Sequence, residues 1–260
     1  MDFSTVTELS GDEVSNEQIA RLAHRYYWAG EYCRERDVLE VACGPGQGLG
    51  YLASVAKTIR GGDITPALVA AARKHYGSRI AVDEMDAQNL PFEPNSLDVV
   101  ILFEAIYYLP QAERFVDECV RVLRPGGYVL LATANKDLYD FNPSPFSHRY
   151  YGVADLNALF GSRGFECRFF GHLPADKVSL RQRILRPVKK FAVTFNLIPK
   201  TMGGKKLLKR LVFGRLQPMI AEVDAATAEY MPPQPLPADR PDSVFKVIYM
   251  AAKKPSSSTV

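Results

Sequence analysis

The run Val38-Leu39-Glu40-Val41-Ala42-Cys43-Gly44-Pro45-Gly46-Gln47-Gly48 constrains the fold more than any other stretch: an apolar strand carrying an acid runs straight into a glycine-dense turn. Glycine has no Cβ, so such a turn reaches positive φ and lets a ligand approach backbone amides. In open parallel sheets, ligands sit beyond the carboxyl ends of the strands. The rest of the periodicity agrees with such a sheet. Ser15 and Gln18 have the capping-box form ahead of Ile19, Leu22, Ala23 and Tyr26, which predicts a helix over 16–33. Further helices are expected over 49–57, from Thr65-Pro66 to Gly77, over 111–123 and over 153–163, with Thr65 as N-cap of the second. Strands are expected over 38–41, 56–63, 80–84, 97–103, 128–133, 165–170 and 244–251. This alternation predicts an α/β fold: a doubly wound, seven-stranded, mostly parallel sheet with helices on both faces. The expected division is an N-terminal helical cap (1–35), a ligand-binding core (36–173), a basic helical insertion acting as a lid (174–242), the last strand (243–253) and a disordered tail (254–260).

A chain of 260 residues, 47% of them hydrophobic, can bury one full core. Cys33, Cys43, Cys119 and Cys167 stand at unrelated spacings, matching neither a disulfide framework nor a zinc site, so reduced thiols, no metal and a cytoplasmic location are expected. Met1–Val14 carries Asp2, Glu8, Asp12 and Glu13 and no basic residue, unlike a secretory signal. The most apolar stretch, Leu97–Leu109, contains Asp98 and Glu104 and is too short to span a bilayer. His24 and His75 lie in basic helical stretches and read as surface residues, whereas His172 has no assigned role.

The turn lacks the Lys-Ser/Thr pair of a phosphate-binding loop. A dinucleotide fingerprint started at Gly44 and Gly46 puts Leu49 where a small residue is needed. S-adenosylmethionine makes different demands: a carboxylate for ribose hydroxyls, an apolar slot for adenine, and contacts for an amino acid group. Glu40, Asp63 and Asp86 fall at the ends of three successive strands, and Glu104 follows Phe103. Asp63 lies where a ribose-binding acid is expected.

Four stretches, VLEVACGPG (38–46), GGDIT (61–65), DAQNLPF (86–92) and LRPGG (123–127), resemble in order and spacing the class I S-adenosylmethionine-dependent methyltransferases. The resemblance is to the small-molecule branch, methyltransferase type 11-like, that includes ubiquinone- and sugar-type enzymes. It implies that Glu40, Gly44 and Gly46 line the methionine part, Asp63 and Ile64 the ribose, and Asp86 and Ala87 the adenine, with Ala42, Cys43, Phe103 and Glu104 beside them. Ala42 stands where the family has its first glycine. His24-Arg25-Tyr26-Tyr27-Trp28-Ala29 resembles an N-terminal element of related enzymes, which implies that Arg25 and Tyr26 reach the cofactor. Independently, three consecutive aromatics on a helix span more than one face, so at least one should line a pocket.

The implied reaction moves a methyl group to a small-molecule acceptor, a hydroxyl or amine of a sugar, lipid-linked or secondary-metabolite substrate, and leaves S-adenosylhomocysteine. A hydroxyl acceptor needs a base. His148 is the first choice, with Glu104, Asp140 and Tyr107 as competitors. Tyr27, Tyr107, Tyr108, His148 and Tyr150 are the candidate acceptor contacts, since tyrosines also suit a developing amine charge. Lys177–Arg215 carries many Lys and Arg residues and no Asp or Glu, with apolar residues interleaved at helical spacing. This run would suit an anionic or carrier-linked acceptor, or peripheral membrane contact. Phe103-Glu104-Ala105-Ile106 lacks the motif of base-amino methyltransferases, which argues against nucleic acid. A non-catalytic S-adenosylmethionine-binding protein and an RNA-directed enzyme are the alternatives, and homodimer formation is left open.

Overall fold

The structure, a computed structural model, describes residues 3–139, 141–144, 146–175 and 216–256. The glycine turn separates β2 (Asp37–Val41) from α2 (Leu49–Val55). Ahead of it lie β1 (Glu13–Ser15) and α1 (Asn16–Cys33), the latter capped as expected: Gln18 N donates to Ser15 Oγ (3.3 Å), and Ser15 N donates to Gln18 Oε1 (3.0 Å). There follow β3 (Thr58–Asp63), α3 (Pro66–Tyr76), β4 (Ala81–Glu84), β5 (Leu97–Phe103), α4 (Ala112–Val122), β6 (Leu123–Ala134), α5 (Val153–Gly161) and β7 (Glu166–Pro174). The chain ends with β8 (Leu216–Pro218), β9 (Gln234–Leu236) and β10 (Phe245–Lys253).

The main sheet has the order β4-β3-β2-β5-β6-β10-β7-β9. Strands β2 to β6 pair in parallel, whereas β10 runs antiparallel to both β6 and β7. The strand order reverses between β2 and β5, and a crevice opens at such a switch point. Alternation along the central strands divides two helical layers. Val38, Val99, Ile101, Leu130 and Tyr249 face α1, while Leu39, Val100, Leu102, Leu131 and Met250 face α4 and α5. Both faces are therefore buried, as the apolar runs require.

Four expectations are corrected. The sheet has eight strands rather than seven, because β9, inside the presumed helical insertion, adds to the edge of β7. The described part of that insertion holds β8 and β9 and no helix; the basic run over 177–215 lies outside the described residues. Lys254 belongs to the fold rather than to a loose tail, since its Nζ donates to the Val120 and Leu123 carbonyls (2.7 and 2.6 Å). His24 is buried, not exposed. Its Nε2 lies 2.9 Å from the Glu229 carbonyl, which can only accept, so Nε2 is the donor there, and its Nδ1 hydrogen-bonds with His172 Nε2 (3.0 Å). Burial is the main reason that His172 is pulled down to about 4, so His172 stays neutral at physiological pH.

Candidate active site

A cavity of about 610 Å³ opens at the carboxyl ends of β2 and β5. Both strands end in a residue with left-handed backbone, Ala42 (φ 52°) after β2 and Glu104 (φ 52°) after β5. Neither is glycine, and such a conformation costs an L-residue about 1–2 kcal/mol. It turns the chain sharply so that both strand ends open onto one space. Gly44 (φ 59°) continues the turn, and its amide donates to Asp63 Oδ2 (2.9 Å). Asp63 Oδ1 accepts from the Thr65 amide (2.8 Å), so this carboxylate, and not the Thr65 side chain, caps α3. Burial raises the Asp63 pKa against the lowering effect of those hydrogen bonds.

Glu40 is fully buried, and its Oε1 accepts from the Tyr26 hydroxyl (2.7 Å). Its other oxygen, Oε2, is sealed from solvent with no partner among the described residues. Burial pushes its pKa up to about 7, although the Tyr26 hydrogen bond and the Arg25 charge pull it down. Arg25 lies over the rings of Tyr26 and Phe103, 5.5 and 5.8 Å from their centroids, and its Nε is likewise buried without a partner among the described residues. Burial favours the neutral guanidine, but the facing Tyr26, Glu104 and Glu40 outweigh it, so Arg25 stays charged.

Of the residues singled out from sequence, Arg25, Tyr26, Glu40, Ala42, Cys43, Gly44, Asp63, Ile64, Asp86, Ala87, Phe103, Glu104, Tyr107, Tyr108 and His148 line this cavity. Three do not. Gly46 lies behind the turn, where its carbonyl accepts from the Tyr76 hydroxyl (2.6 Å). Tyr27 points into the core under the 216–230 segment, its hydroxyl donating to the Asp224 carbonyl (2.6 Å). Tyr150 stacks behind Tyr107 with centroids 4.4 Å apart, and its hydroxyl accepts from Ser144 N (3.0 Å). The three consecutive aromatics thus divide, with Tyr26 in the cavity and Tyr27 and Trp28 in the core. His148 is exposed at the mouth, held through its backbone amide to the Tyr107 carbonyl (2.8 Å). Tyr107 in turn donates to Glu104 Oε2 (3.3 Å). Asp140 lies outside the described residues.

Several lining residues escape sequence reasoning. Phe3, Val6, Thr7 and Glu8 close one side, and Met219 arrives from the segment that carries β8. That segment pairs with β1, and Met219 N donates to the Asp12 carbonyl (2.7 Å). Nothing local in the sequence marks either stretch. Gln18 and Arg21 were legible in principle, because they lie one to two turns before Arg25 on the same helical face.

The later glycines of the turn serve the protein's own side chains. A Cβ on Gly48 would lie 1.9 Å from the Tyr26 ring, and one on Gly50 would lie 1.7 Å from Glu222 Oε1. Glu222 accepts from Arg79 (2.6 Å) and pairs with His75 (2.7 Å), which fastens the 216–224 segment onto α3. Gly48→Ala is expected to destabilise the fold by about 3 kcal/mol in denaturant melts, because a packed ring must move. Gly50→Ala should cost less, since Glu222 can swing away. Equal losses would contradict this account.

The methyltransferase domain family matches this chain over residues 39–131. A protein of Mycolicibacterium smegmatis named as a probable S-adenosylmethionine-dependent methyltransferase is 39% identical over 150 residues, which cover 56% of this chain and 55% of the relative. A phthiotriol/phenolphthiotriol dimycocerosates methyltransferase of Mycobacterium ulcerans is 44% identical over 96 residues, covering 36% of this chain and 35% of the relative. The chain therefore spans about half the length, or less, of the curated relatives it matches. The crystal structure of an S-adenosylmethionine-dependent methyltransferase from Thermotoga maritima superposes with a TM-score of 0.57 at 16% identity, over 91% of this chain and 92% of that one. At that identity the likeness concerns the fold.

Proposed function

This chain carries a class I S-adenosylmethionine-dependent methyltransferase domain, and from that premise we propose that it transfers a methyl group to a hydroxyl or amine of a small-molecule acceptor. The observation that carries this reading is the pair of opposite charges on the cavity wall, Glu40 and Arg25, whose Oε2 and Nε have no partner among the described residues. A buried polar atom without a partner is costly, so the pair fits a ligand that brings an ammonium and a carboxylate together. The left-handed turn at Ala42 and Gly44 adds a cradle of backbone beside them.

Bound there, S-adenosylmethionine would supply a methyl group on a positively charged sulfur, a good leaving group. Glu40 and Arg25 would hold the amino acid end, Asp63 with Ile64 the ribose, and Asp86 with Ala87 the adenine. The Asp63 carboxylate already ties Gly44 to Thr65, so it orders two loops as well as offering its remaining lone pairs. Alignment of acceptor and methyl group accounts for most of the rate in such a displacement. Tyr107, Tyr108 and Phe103 would exclude water from the acceptor side. For a hydroxyl acceptor, His148 at the mouth takes the proton, and Glu104, bonded to the Tyr107 hydroxyl, stabilises the charge that develops. Support for a hydroxyl acceptor comes from the Mycobacterium ulcerans relative, which is named for phthiotriol and phenolphthiotriol.

Calorimetric titration of the protein with S-adenosylmethionine and, separately, with NADH tests the reading. Micromolar binding of the first alone is expected. Binding of NADH alone would overturn it.

A further inference from the structure

Five residues of α1, Gln18, Arg21, Leu22, Arg25 and Tyr26, line the cavity. Their spacing is that of one helical face, and it runs along about 12 Å of wall at 1.5 Å per residue. The two ends of this ladder are tied to different parts of the molecule. Tyr26 donates to Glu40 of β2, whereas Glu17, next to Gln18, pairs with Lys246 of β10, three strands further along the sheet. Arg21 thus stands one helical turn beyond Arg25, away from the proposed methionine end and toward the space that an acceptor would fill.

Arg21 differs from the other charged groups at that end. Lys246 also lines the cavity, but it is paired with Glu17 (3.1 Å). The Glu8 carboxylate is engaged by Gln18. Among the described residues, Arg21 makes no hydrogen bond and no ion pair. It is nevertheless half-buried and faces inward: beside the larger effect of burial, its charge acts on the buried His172 and Tyr249. A guanidinium held on a cavity wall with no partner among the described residues suits a planar or tetrahedral oxyanion, which it can grip with two parallel bonds.

We propose that Arg21 anchors an acceptor that carries a carboxylate or phosphate group, separately from the cofactor carboxylate at Arg25. This deepens the methyl-transfer reading and rests on it. It uses only residues of the cavity and does not depend on the basic run over 177–215.

The test measures binding of phenyl phosphate, benzoate and phenol to the protein saturated with S-adenosylhomocysteine. Wild type should bind at least one of the two anions about tenfold more tightly than phenol, the effect of a charge-assisted hydrogen bond. Arg21→Gln should reduce that preference to less than about threefold, leave S-adenosylhomocysteine affinity within about twofold, and melt at an unchanged temperature. Arg21→Lys should keep part of the preference, because the charge survives without the fork. Arg25→Gln should instead weaken S-adenosylhomocysteine. The anion that shows the preference identifies the group. No preference in wild type, or a preference that persists in Arg21→Gln, overturns the assignment while leaving methyl transfer standing. Failure of wild type to bind S-adenosylhomocysteine overturns both, and a loss of that affinity in Arg21→Gln as large as in Arg25→Gln would return Arg21 to the cofactor site.

Discussion

Asp63→Ala is expected to remove measurable S-adenosylmethionine binding and to lower the thermal midpoint by about 6–12 °C. The carboxylate accepts from Gly44 N at 2.9 Å and from Thr65 N at 2.8 Å, in a place that is 5% exposed. Its removal leaves two buried amides without acceptors and frees the start of α3 from its cap. Each such group costs about 1–3 kcal/mol, so a total of about 3 kcal/mol is expected. The loss of affinity has two sources, the missing ribose contact proposed for Asp63 and the loosened Gly44 turn. Asp63→Asn separates them. It keeps one acceptor oxygen, so it should recover part of the stability and little of the affinity. A melt of Asp63→Ala that matches wild type would contradict the tie between the two loops.

The second large effect concerns Glu40. Its pKa stands near 7 in the folded chain because burial disfavours the anion, against 4.5 for an exposed glutamate. The folded state therefore binds the proton more tightly than the unfolded chain. Stability from this group is fully present below the unfolded pKa, falls as pH rises through about 7, and is gone above it. The gap corresponds to about 3 kcal/mol. Glu40→Gln keeps an oxygen for the Tyr26 hydroxyl and carries no charge. The ligand-free variant should be about 3 kcal/mol more stable than wild type at pH 8, and the advantage should vanish near pH 4. The same variant should bind S-adenosylmethionine about 10–100-fold more weakly, since the ammonium proposed to lie against Glu40 loses its counter-charge. Wild-type affinity should rise with pH as Glu40 ionises, and the variant's should not. Denaturant melts and titrations at a series of pH values check both. If the stability difference were independent of pH, Glu40 would not be the titrating group.

These predictions depend on residues of unequal visibility. Glu40, Gly44, Asp63 and Asp86 were legible because each is fixed by strand periodicity and by the turn that follows it. Tyr26 could be foreseen, both as one of three aromatics too many for a single buried face and from the resemblance of residues 24–29, but Tyr27 was wrongly expected to join it in the cavity. Only the approach of α1 to the switch point brings the Tyr26 hydroxyl to Glu40 and leaves Tyr27 under the 216–230 segment. Tyr150, expected as an acceptor contact, instead stacks on Tyr107 outside the cavity lining, a placement that only the tertiary structure shows. His24 read as a surface residue because its neighbours are basic, yet His172 and the Glu229 carbonyl, remote in sequence, satisfy both of its ring nitrogens in the interior.

What the sequence determined by itself was local and periodic: the parallel strands, the helices between them, the capping box at Ser15, and the chemistry of the strand-end acids. Alternation of apolar residues is enough to set which face of a strand is buried. The tertiary structure decided the walls of the cavity, from the N-terminal segment and Met219 to the face of α1 that carries Arg21 and the buried carboxylate of Glu40. It also decided that β9 would extend the sheet by an eighth strand. These features come from segments far apart in the chain. Their placement follows from the packing of buried surfaces and the pairing of buried polar groups, neither of which leaves a period in the sequence.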